Sequence, residues 1–277
     1  MIKDIVVNLS VGKGVHPAGD YAVSVASALD AHIAGIAFVY DPNFPASSGT
    51  AYLPVEVTDA VRRDHEVAAK AAIDRFAKAT SRAGVSAEPL TRSAGFADAG
   101  NQFARIARRF DLAIVGQAKP EPSAVEEKIA EGALFDSGRP VIFVPYVQKA
   151  PLKLDHIMVC WDGSRPAVRA IADAMPLLER AGTVEVVIVA NERGKQEEIK
   201  GVDMGQHLAR HGLNVEVRRI TRGNLDVADA LLSHAADADV DFIVMGGYGH
   251  SRLREFVLGG VTRSILRSMV VPVLMSH

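Results

Sequence analysis

The sequence contains few of the residues and runs that mark disulfide-linked, metal-binding or membrane proteins. Its 277 residues include one cysteine, Cys160, which excludes an intrachain disulfide and a cysteine-rich zinc site. Cys160 lies in an apolar run, which favours a small buried hydrophobe over a nucleophile. No apolar run approaches the roughly 18 residues of a membrane span, and the N-terminal segment does not resemble a signal peptide. We therefore expect a cytoplasmic protein with no membrane partner.

The chain also has almost no excess of one sign of charge over the other. Lysine and arginine total 31 against 33 aspartate and glutamate residues, which leaves a net charge of −2. Nucleic-acid-binding proteins display a basic patch or stripe, whereas both signs are interspersed along this chain. The charge pattern predicts no nucleic-acid partner.

The sequence does contain a repeated alternation of short apolar runs and helical patterns. Apolar strands bounded by helices are typical of a parallel sheet that is covered on both faces. Local similarity supports the repeat, because residues 110–116 (FDLAIVG) match 240–246 (VDFIVMG), and residues 3–9 match 155–161. The order of elements is therefore a duplication.

This duplication predicts two tandem, doubly wound parallel-sheet domains of Rossmann-like topology. Residues 1–147 would form the first domain and residues 153–277 the second, with the segment 148–152 as linker. An insertion at residues 41–54 has no counterpart in the second half. Its length without periodicity predicts a mobile loop or an interaction surface.

A pair of glycine clusters marks the strongest candidate site. In open parallel sheets, ligands bind beyond the carboxyl ends of the strands. Gly246 and Gly249 follow an apolar strand and permit a tight turn close to an anion. Further along, Gly259 and Gly260 open a helix whose free amides would bind phosphate. Basic side chains between the clusters would add positive charge: His250, Arg252 and Arg254.

Two other strand ends in the second half carry weaker signals. Asp162 follows the first strand, where its carboxylate would either accept hydrogen bonds from a ribose or adenine amine, or cap the next helix. The sequence leaves these two roles open. Val189 ends the second strand, where backbone groups would pair with a base edge.

Other ligand motifs are absent or incomplete. The chain has no G-x-x-x-x-G-K-[ST] and so lacks the P-loop of ATPases. His207 and His211 have the spacing of zinc ligands, but no third ligand is near and Gly212 indicates a helix end. No nucleophile–base pair or paired carboxylates accompany the glycines. We expect no catalytic residue and no metal ligand.

With these residues in place, the chain resembles the universal stress protein family in its tandem two-domain form. The family signature is G-x2-G-x9-G followed by a small hydroxyl residue, and Gly246, Gly249 and Gly259 fit its spacing. Asp162 matches the family's aspartate after the first strand, and Val189 matches its adenine-contacting position. The resemblance implies an adenine nucleotide alpha-hydrolase-like fold that binds ATP or AMP, with Mg²⁺ as an optional companion ion.

The chain departs from the family pattern directly after the third glycine. Gly260 stands where ATP-binding members carry serine or threonine, so the amide remains but a hydroxyl contact to phosphate is lost. A hydrogen bond to a charged group contributes about 1.5–3 kcal/mol, which predicts about tenfold weaker binding or more. Val261 continues the helix N-terminus, and Thr262 would replace the hydroxyl in part.

The first half departs further from the pattern. Ser10 stands where the second half has Asp162, and Pro120 and Pro122 rebuild the loop after Gly116. No glycine pair precedes its last helix, where Glu126 and Glu127 would repel phosphate. We predict no nucleotide site in this half, which would instead stand in for the partner subunit that single-domain family members acquire by dimerising.

Three functions remain open. A nucleotide-responsive regulator of stress physiology, which we favour, would bind ATP or AMP and change a conformation or oligomeric state that an unidentified protein partner reads. A ligand-free scaffold would act through its surfaces. A nucleotide alpha-hydrolase or adenylating enzyme would need a catalytic set that the sequence does not show. The strand at 270–274 would also be an uncovered edge, which predicts a homodimer.

The glycine motif leads to a direct expectation for a variant. Gly246→Val would block the approach of phosphate to the turn and leave the fold intact. Calorimetry with Mg-ATP would then show micromolar binding at one site per chain for the wild type and none for the variant.

Overall fold

The protein consists of two compact α/β units. The computed structural model describes residues 1–11, 17–41, 55–118, 124–190, 201–247 and 260–277. These residues divide into Ile2–Arg139 and Pro140–His277, with Met1 grouped with the latter. Strands and helices alternate in both units. The α/β class and the mostly parallel sheets predicted from the repeat are confirmed.

In the first unit, four parallel strands have the order β3-β2-β1-β4. The strands are β1 (Asp4–Leu9), β2 (His32–Asp41), β3 (Ala87–Gly95) and β4 (Leu112–Gly116). The helices are α1 (Pro17–Leu29), α2 (Val55–Ala83), α3 (Ala99–Ala107) and α4 (Ala124–Glu131), which continues into a π-helical turn at Gly132–Asp136. The side chains of β1, β2 and β4 are almost all buried, as expected for strands covered on both faces.

The second unit has the strand order β5-β10-β9-β6-β7-β8. Its strands are β5 (Val141–Val144), β6 (His156–Cys160), β7 (Thr183–Ala190), β8 (Val215–Thr221), β9 (Phe242–Gly246) and β10 (Val273–Ser276). Its helices are α5 (Arg165–Leu178), α6 (Gly201–Arg210), α7 (Val227–Asp237) and α8 (Gly260–Ser268). All neighbouring strands are parallel except β5 and β10.

Strand β5 changes two expectations. It runs antiparallel to β10, with Phe143 opposite Val273, and the compact unit consequently begins at Pro140, ahead of the linker predicted at 148–152. The same pairing covers the edge of β10. The expectation of an uncovered edge at β10 is therefore wrong, and homodimerisation stays a prediction without this support.

A shared contact at the start of the central strands agrees with the duplication. In the first unit, Asp111 Oδ2 accepts hydrogen bonds from the backbone N–H groups of Lys3 and Asp4, at 2.8 and 3.1 Å. In the second, Asp241 Oδ2 accepts one from the N–H of His156 at 3.0 Å. These aspartates occupy the same position in the two matched segments of the sequence. Each fixes the start of the strand that lies at the centre of its unit.

The second unit also buries a carboxylate that sequence analysis did not single out. Glu185 on β7 is 1% exposed, and Arg218 Nε on β8 lies 2.5 Å from its Oε1. Its Oε2 lies 3.0 Å from His234 Nε2 on α7 and 3.5 Å from His156 Nε2 on β6. An ionised group inside a protein requires such partners because burial removes its hydration. The cluster joins three strands and a helix at the amino end of the sheet, away from the predicted site.

Two glycines permit a close backbone crossing in the first unit. A Cβ on Gly100 of α3 would collide with the carbonyl oxygen of Lys128 on α4, and a Cβ on Gly132 would collide with the carbonyl oxygen of Gly100. Backbone atoms cannot rotate away as a flexible side chain can. The packing of α3 on α4 therefore requires glycine at both positions.

We expect Gly100→Ala to destabilise the protein by about 2–3 kcal/mol, because overpacking against backbone forces the helices apart. Gly95→Ala is the matched control, since a Cβ on Gly95 would meet nothing within 4 Å; it should change stability by less than about 0.5 kcal/mol. Urea denaturation followed by circular dichroism measures both. Equal midpoints for the two variants would contradict the crossing.

Candidate functional site

The second sheet has a topological switch point between β6 and β9. From β6 the chain adds β7 and β8 on one side, and later adds β9 and β10 on the other. Chain segments that leave two such strands diverge, and open α/β sheets bind ligands in the space between them. Val159 is in register with Val244, so Trp161 and Gly246 lie at the same level. The predicted nucleotide-binding residues Asp162 and Gly246 therefore lie at the carboxyl ends of the two strands that flank the switch point.

Gly246 ends β9 directly against the first turn of α5. A Cβ at this position would lie 2.5 Å from the amide nitrogen of Ala167 and 2.7 Å from the carbonyl carbon of Pro166. These obstacles are backbone, so any side chain at position 246 would displace the helix. The expectation that Gly246→Val leaves the fold intact is therefore wrong. This glycine is required by packing, whether or not a ligand binds.

The structure decides one of the two roles that the sequence left open for Asp162. The N-cap of α5 is Ser164, whose hydroxyl accepts a hydrogen bond from the N–H of Ala167 at 3.3 Å. Asp162 precedes the cap and is exposed; its Oδ1 accepts from the N–H of Ser164 at 2.9 Å. Among the described residues, its Oδ2 has no hydrogen-bond partner. The capping role therefore belongs to Ser164, and one oxygen of Asp162 remains open to a ligand.

The N-terminus of α8 shows what the missing hydroxyl changes. Gly260 is the first residue of this nine-residue helix and is exposed, and a Cβ there would meet nothing within 4 Å. Thr262 is 3% exposed, and helix geometry places it about 200° around the axis from position 260. Its hydroxyl therefore cannot occupy the place of a hydroxyl at 260. The first-turn amides still lack partners within the helix and carry its partial positive charge.

The remaining predicted residues are only partly described. Val189 is half-buried near the carboxyl end of β7, and Val261 is half-buried in the first turn of α8. The other five lie outside the described residues: Gly249, His250, Arg252, Arg254 and Gly259. The structure thus places Asp162 and Gly246 on either side of the switch point, and Val189 on the strand next to β6.

Two contacts that sequence analysis missed fix the residue after β9. The N–H of Gly247 donates to the carbonyl of Ser276 on β10 at 2.8 Å. Its own carbonyl lies 3.0 Å from Nδ1 of His277. Neither Ser276 nor His277 belongs to a recognisable motif, so no sequence signal was available for them.

Comparison with known proteins identifies this domain. Residues 153–277 match the sequence model of the Universal stress protein family. The C-terminal half is a universal stress protein domain. Universal stress protein Slr1230 from Synechocystis sp. is 34% identical to this chain over 67 residues. The match covers 24% of this chain and 22% of that relative, so it spans about a fifth of the relative's length.

Solved structures extend the likeness to the first unit. A universal stress protein from Archaeoglobus fulgidus DSM 4304 aligns with a TM-score of 0.71 at 17% identity, over 98% of this chain and 97% of that chain. A protein of unknown function from Pseudomonas aeruginosa PAO1 aligns with a TM-score of 0.62 at 15% identity, over 99% and 92%. Identities this low show the fold alone. They confirm the Rossmann-like α/β architecture of universal stress proteins for the chain as a whole.

The first unit differs from the universal stress protein domain at the equivalent of Val189. Because His32 pairs with Asp4 and Thr183 pairs with His156 in matching strands, Phe38 occupies the position of Val189. Phe38 is fully buried, and its ring lies 6.2 Å from that of Tyr40, centroid to centroid. A large buried aromatic side chain thus stands in the first unit where the second unit has Val189, and the lack of a nucleotide site in this half stays a prediction.

His207 and His211 both lie in the described part of the chain, in and directly after helix α6. The rings of His207 and His211 lie edge to face with their centroids 4.9 Å apart. The described part of the chain has no group of three His, Cys, Asp or Glu side chains placed to hold a metal ion. In the same part, no helix is both long enough and apolar enough to cross a membrane.

Cys160 lies at the end of β6, two residues before Asp162. Part of the residue is accessible, but the thiol is surrounded by protein. This burial, with a smaller effect of the negative charge on Asp162, raises the pKa of Cys160 to about 12. The reactive form of cysteine is the thiolate. The interpretation of Cys160 as a small hydrophobe therefore agrees with its surroundings.

The clash at position 246 predicts a loss of stability in Gly246→Val. Displacing the α5 backbone should cost about 3 kcal/mol or more, since both overpacking and the Ser164 cap are affected. Thermal unfolding without any nucleotide measures it, with Gly260→Val as a control for adding the same side chain in open space. An unchanged melting temperature for Gly246→Val would contradict the packing role.

The raised pKa predicts that Cys160 resists alkylation. A pKa of about 12 leaves roughly one thiol in ten thousand ionised at pH 8, so iodoacetamide should react slowly and faster with each rise in pH. The same protein unfolded in guanidinium should react at the rate of a free cysteine. Native and unfolded rates that agree at pH 8 would show that the thiol is exposed.

Proposed function

We propose that the universal stress protein domain binds an adenine nucleotide, ATP or AMP, at the switch point and acts as a regulator. The observation that carries this proposal is the coincidence of motif and topology. Asp162 and Gly246, which belong to the resemblance to the family, follow the two strands that diverge there. The topology puts the ends of these two strands at the switch point, and the residue types found there are the ones that the family motif requires.

Different parts of the nucleotide bind to residues on the two sides of the switch point. On the side of β6 and β7, Oδ2 of Asp162 accepts hydrogen bonds from a ribose hydroxyl or the adenine amine, and the backbone at Val189 pairs with the base edge. On the side of β9, the phosphates approach the glycine loop and the first-turn amides of α8, where the helix dipole favours negative charge. His250 and Arg252 add positive charge, and Mg²⁺ accompanies the phosphates where ATP is bound.

The chemistry of the described residues favours a regulator over an enzyme. Cys160 is protonated at neutral pH because burial raises its pKa, and the catalytic pair that an alpha-hydrolase-type enzyme needs was not found in the sequence. A bound nucleotide acts on such a protein by binding two of its states unequally. An unidentified protein partner then reads the difference in conformation or assembly.

One observation favours a second candidate, a nucleotide-free scaffold. Gly260 lacks the hydroxyl of ATP-binding family members, and Thr262 lies on another side of α8, so Thr262 does not replace that contact. In this alternative the domain keeps the family fold but no longer binds a nucleotide, and the protein acts through contacts of its surface with other proteins.

The hydroxyl that is missing at position 260 can be added by substitution, and this should strengthen nucleotide binding. Gly260→Ser restores the family's hydroxyl in open space, so the fold should be unchanged. Its contact with a charged phosphate should lower the Kd for Mg-ATP about tenfold or more. Calorimetry on nucleotide-stripped protein measures the Kd.

Gly260→Ala is the matched control for this test. It adds the same Cβ without the hydroxyl and should bind within about twofold of the wild type. No heat and no thermal shift for the wild type and Gly260→Ser at millimolar Mg-ATP would refute nucleotide binding and support the scaffold. Equal gains for serine and alanine would instead show that the hydroxyl is not what matters.

A further inference from the structure

Gly247, the first residue beyond β9, is held by hydrogen bonds on both sides of its backbone. Its N–H donates to the carbonyl of Ser276 at 2.8 Å, and its carbonyl lies 3.0 Å from Nδ1 of His277. A carbonyl oxygen only accepts, so Nδ1 of His277 carries the hydrogen and donates it. One anchor is Ser276, the last residue of β10, and the other is His277, which follows it.

These anchors are themselves fixed in the second unit. Ser276 is in register with Gly246, is 2% exposed, and its hydroxyl donates to Oδ2 of Asp173 on α5 at 2.9 Å. Arg169 Nε lies 2.8 Å from the same carboxylate oxygen. The backbone of residue 276 therefore has little freedom, and the ring of His277 is directed from a rigid position onto Gly247.

Fixing this carbonyl has a consequence for the chain beyond it. A peptide group is planar, so the direction of the Gly247 carbonyl sets the orientation of the whole peptide unit that leads from β9 into the glycine loop. Gly246 is already fixed by its pairing with Ser276 and by its contact with α5, but Gly247 has no Cβ and would otherwise have access to a wide range of backbone conformations. Ordering Gly247 would then oppose ligand binding.

We propose that His277 is a positioning residue of the nucleotide site, which preorganises the entrance to the glycine loop through its hydrogen bond to Gly247. This inference rests on the proposed function and adds a residue to it that lies outside the family's motif. His277 acts through Gly247 and makes no contact with the nucleotide in this account. Its loss should weaken binding without removing any group that touches the ligand.

Three substitutions at one position separate the hydrogen bond from other effects of the ring. The side-chain nitrogen of asparagine lies where Nδ1 of histidine does, whereas that of glutamine lies where Nε2 does. His277→Asn should therefore bind Mg-ATP like the wild type. His277→Ala and His277→Gln should bind about three- to tenfold more weakly, as expected for one lost hydrogen bond. His277→Gln also controls for contacts of the far edge of the ring.

A second readout needs no nucleotide. The carbonyl ¹³C resonance of Gly247 in the free protein should shift in the alanine and glutamine variants and stay near its wild-type position in the asparagine variant. Thermal unfolding of all four proteins checks that the fold is retained.

The outcomes distinguish this inference from the proposed function. Wild-type binding with an unchanged Kd in His277→Ala would refute the positioning role alone. Equal weakening in the alanine and asparagine variants would also refute it, since the donated hydrogen bond would not be the cause. No binding by the wild type or by Gly260→Ser would refute the proposed function, and this inference with it.

Discussion

The backbone of Gly246 lies so close to the first turn of α5 that a Cβ would come within 2.5 Å of the amide nitrogen of Ala167. Much of the candidate site follows from this contact. Because α5 begins directly beside the end of β9, Ser164 is placed to cap the helix, and Asp162 is left exposed before it at the switch point. The chain then continues into Gly247, which β10 and His277 hold in place.

The same contact changes how the glycine motif is interpreted. Gly246 would be retained in this fold even if no nucleotide bound, because packing alone requires it. The equivalent residue of the first unit, Gly116, is under less constraint: a Cβ there would lie 3.7 Å from both Ala18 Cβ and Ser10 Oγ, an ordinary contact. The proposed ligand site is therefore better tested at Asp162 and Gly260, which are exposed and have no comparable packing role.

The fold was largely predictable because its signals are local and occur twice. Alternating apolar runs and helical patterns gave the strands, and the matched segments ending at Gly116 and Gly246 gave the duplication. The pairing of β5 with β10 was not predictable, because a short apolar strand carries no mark of its partner or direction. The partners of Glu185 were hidden for a similar reason, since they come from strands and a helix that are distant in sequence.

The site was predictable only at positions where the residue type is compatible with a single role. Asp162 and Ser164 are both good capping residues, so their roles could be separated only by the hydrogen bond from Ala167 to Ser164. The sequence indicated that Gly246 permits a tight turn. It could not show that packing also requires this glycine, because that depends on how closely α5 approaches β9. Thr262 was predicted to replace the missing hydroxyl in part because it is near Gly260 in sequence. Two positions that are two residues apart in a helix, however, lie on nearly opposite sides of it.

The first unit differs from the second at Ser10, which stands where the second has Asp162, and at the buried Phe38, which stands where the second has Val189. With no nucleotide site predicted in the first unit, the proposed site occurs once per chain, and a single site has no neighbour within the chain with which to cooperate. Its occupancy then follows a hyperbola, rising over about two orders of magnitude in nucleotide concentration. A single chain of this kind would report the nucleotide level in a graded way, and a switch-like response would require coupling between chains or a partner that supplies it.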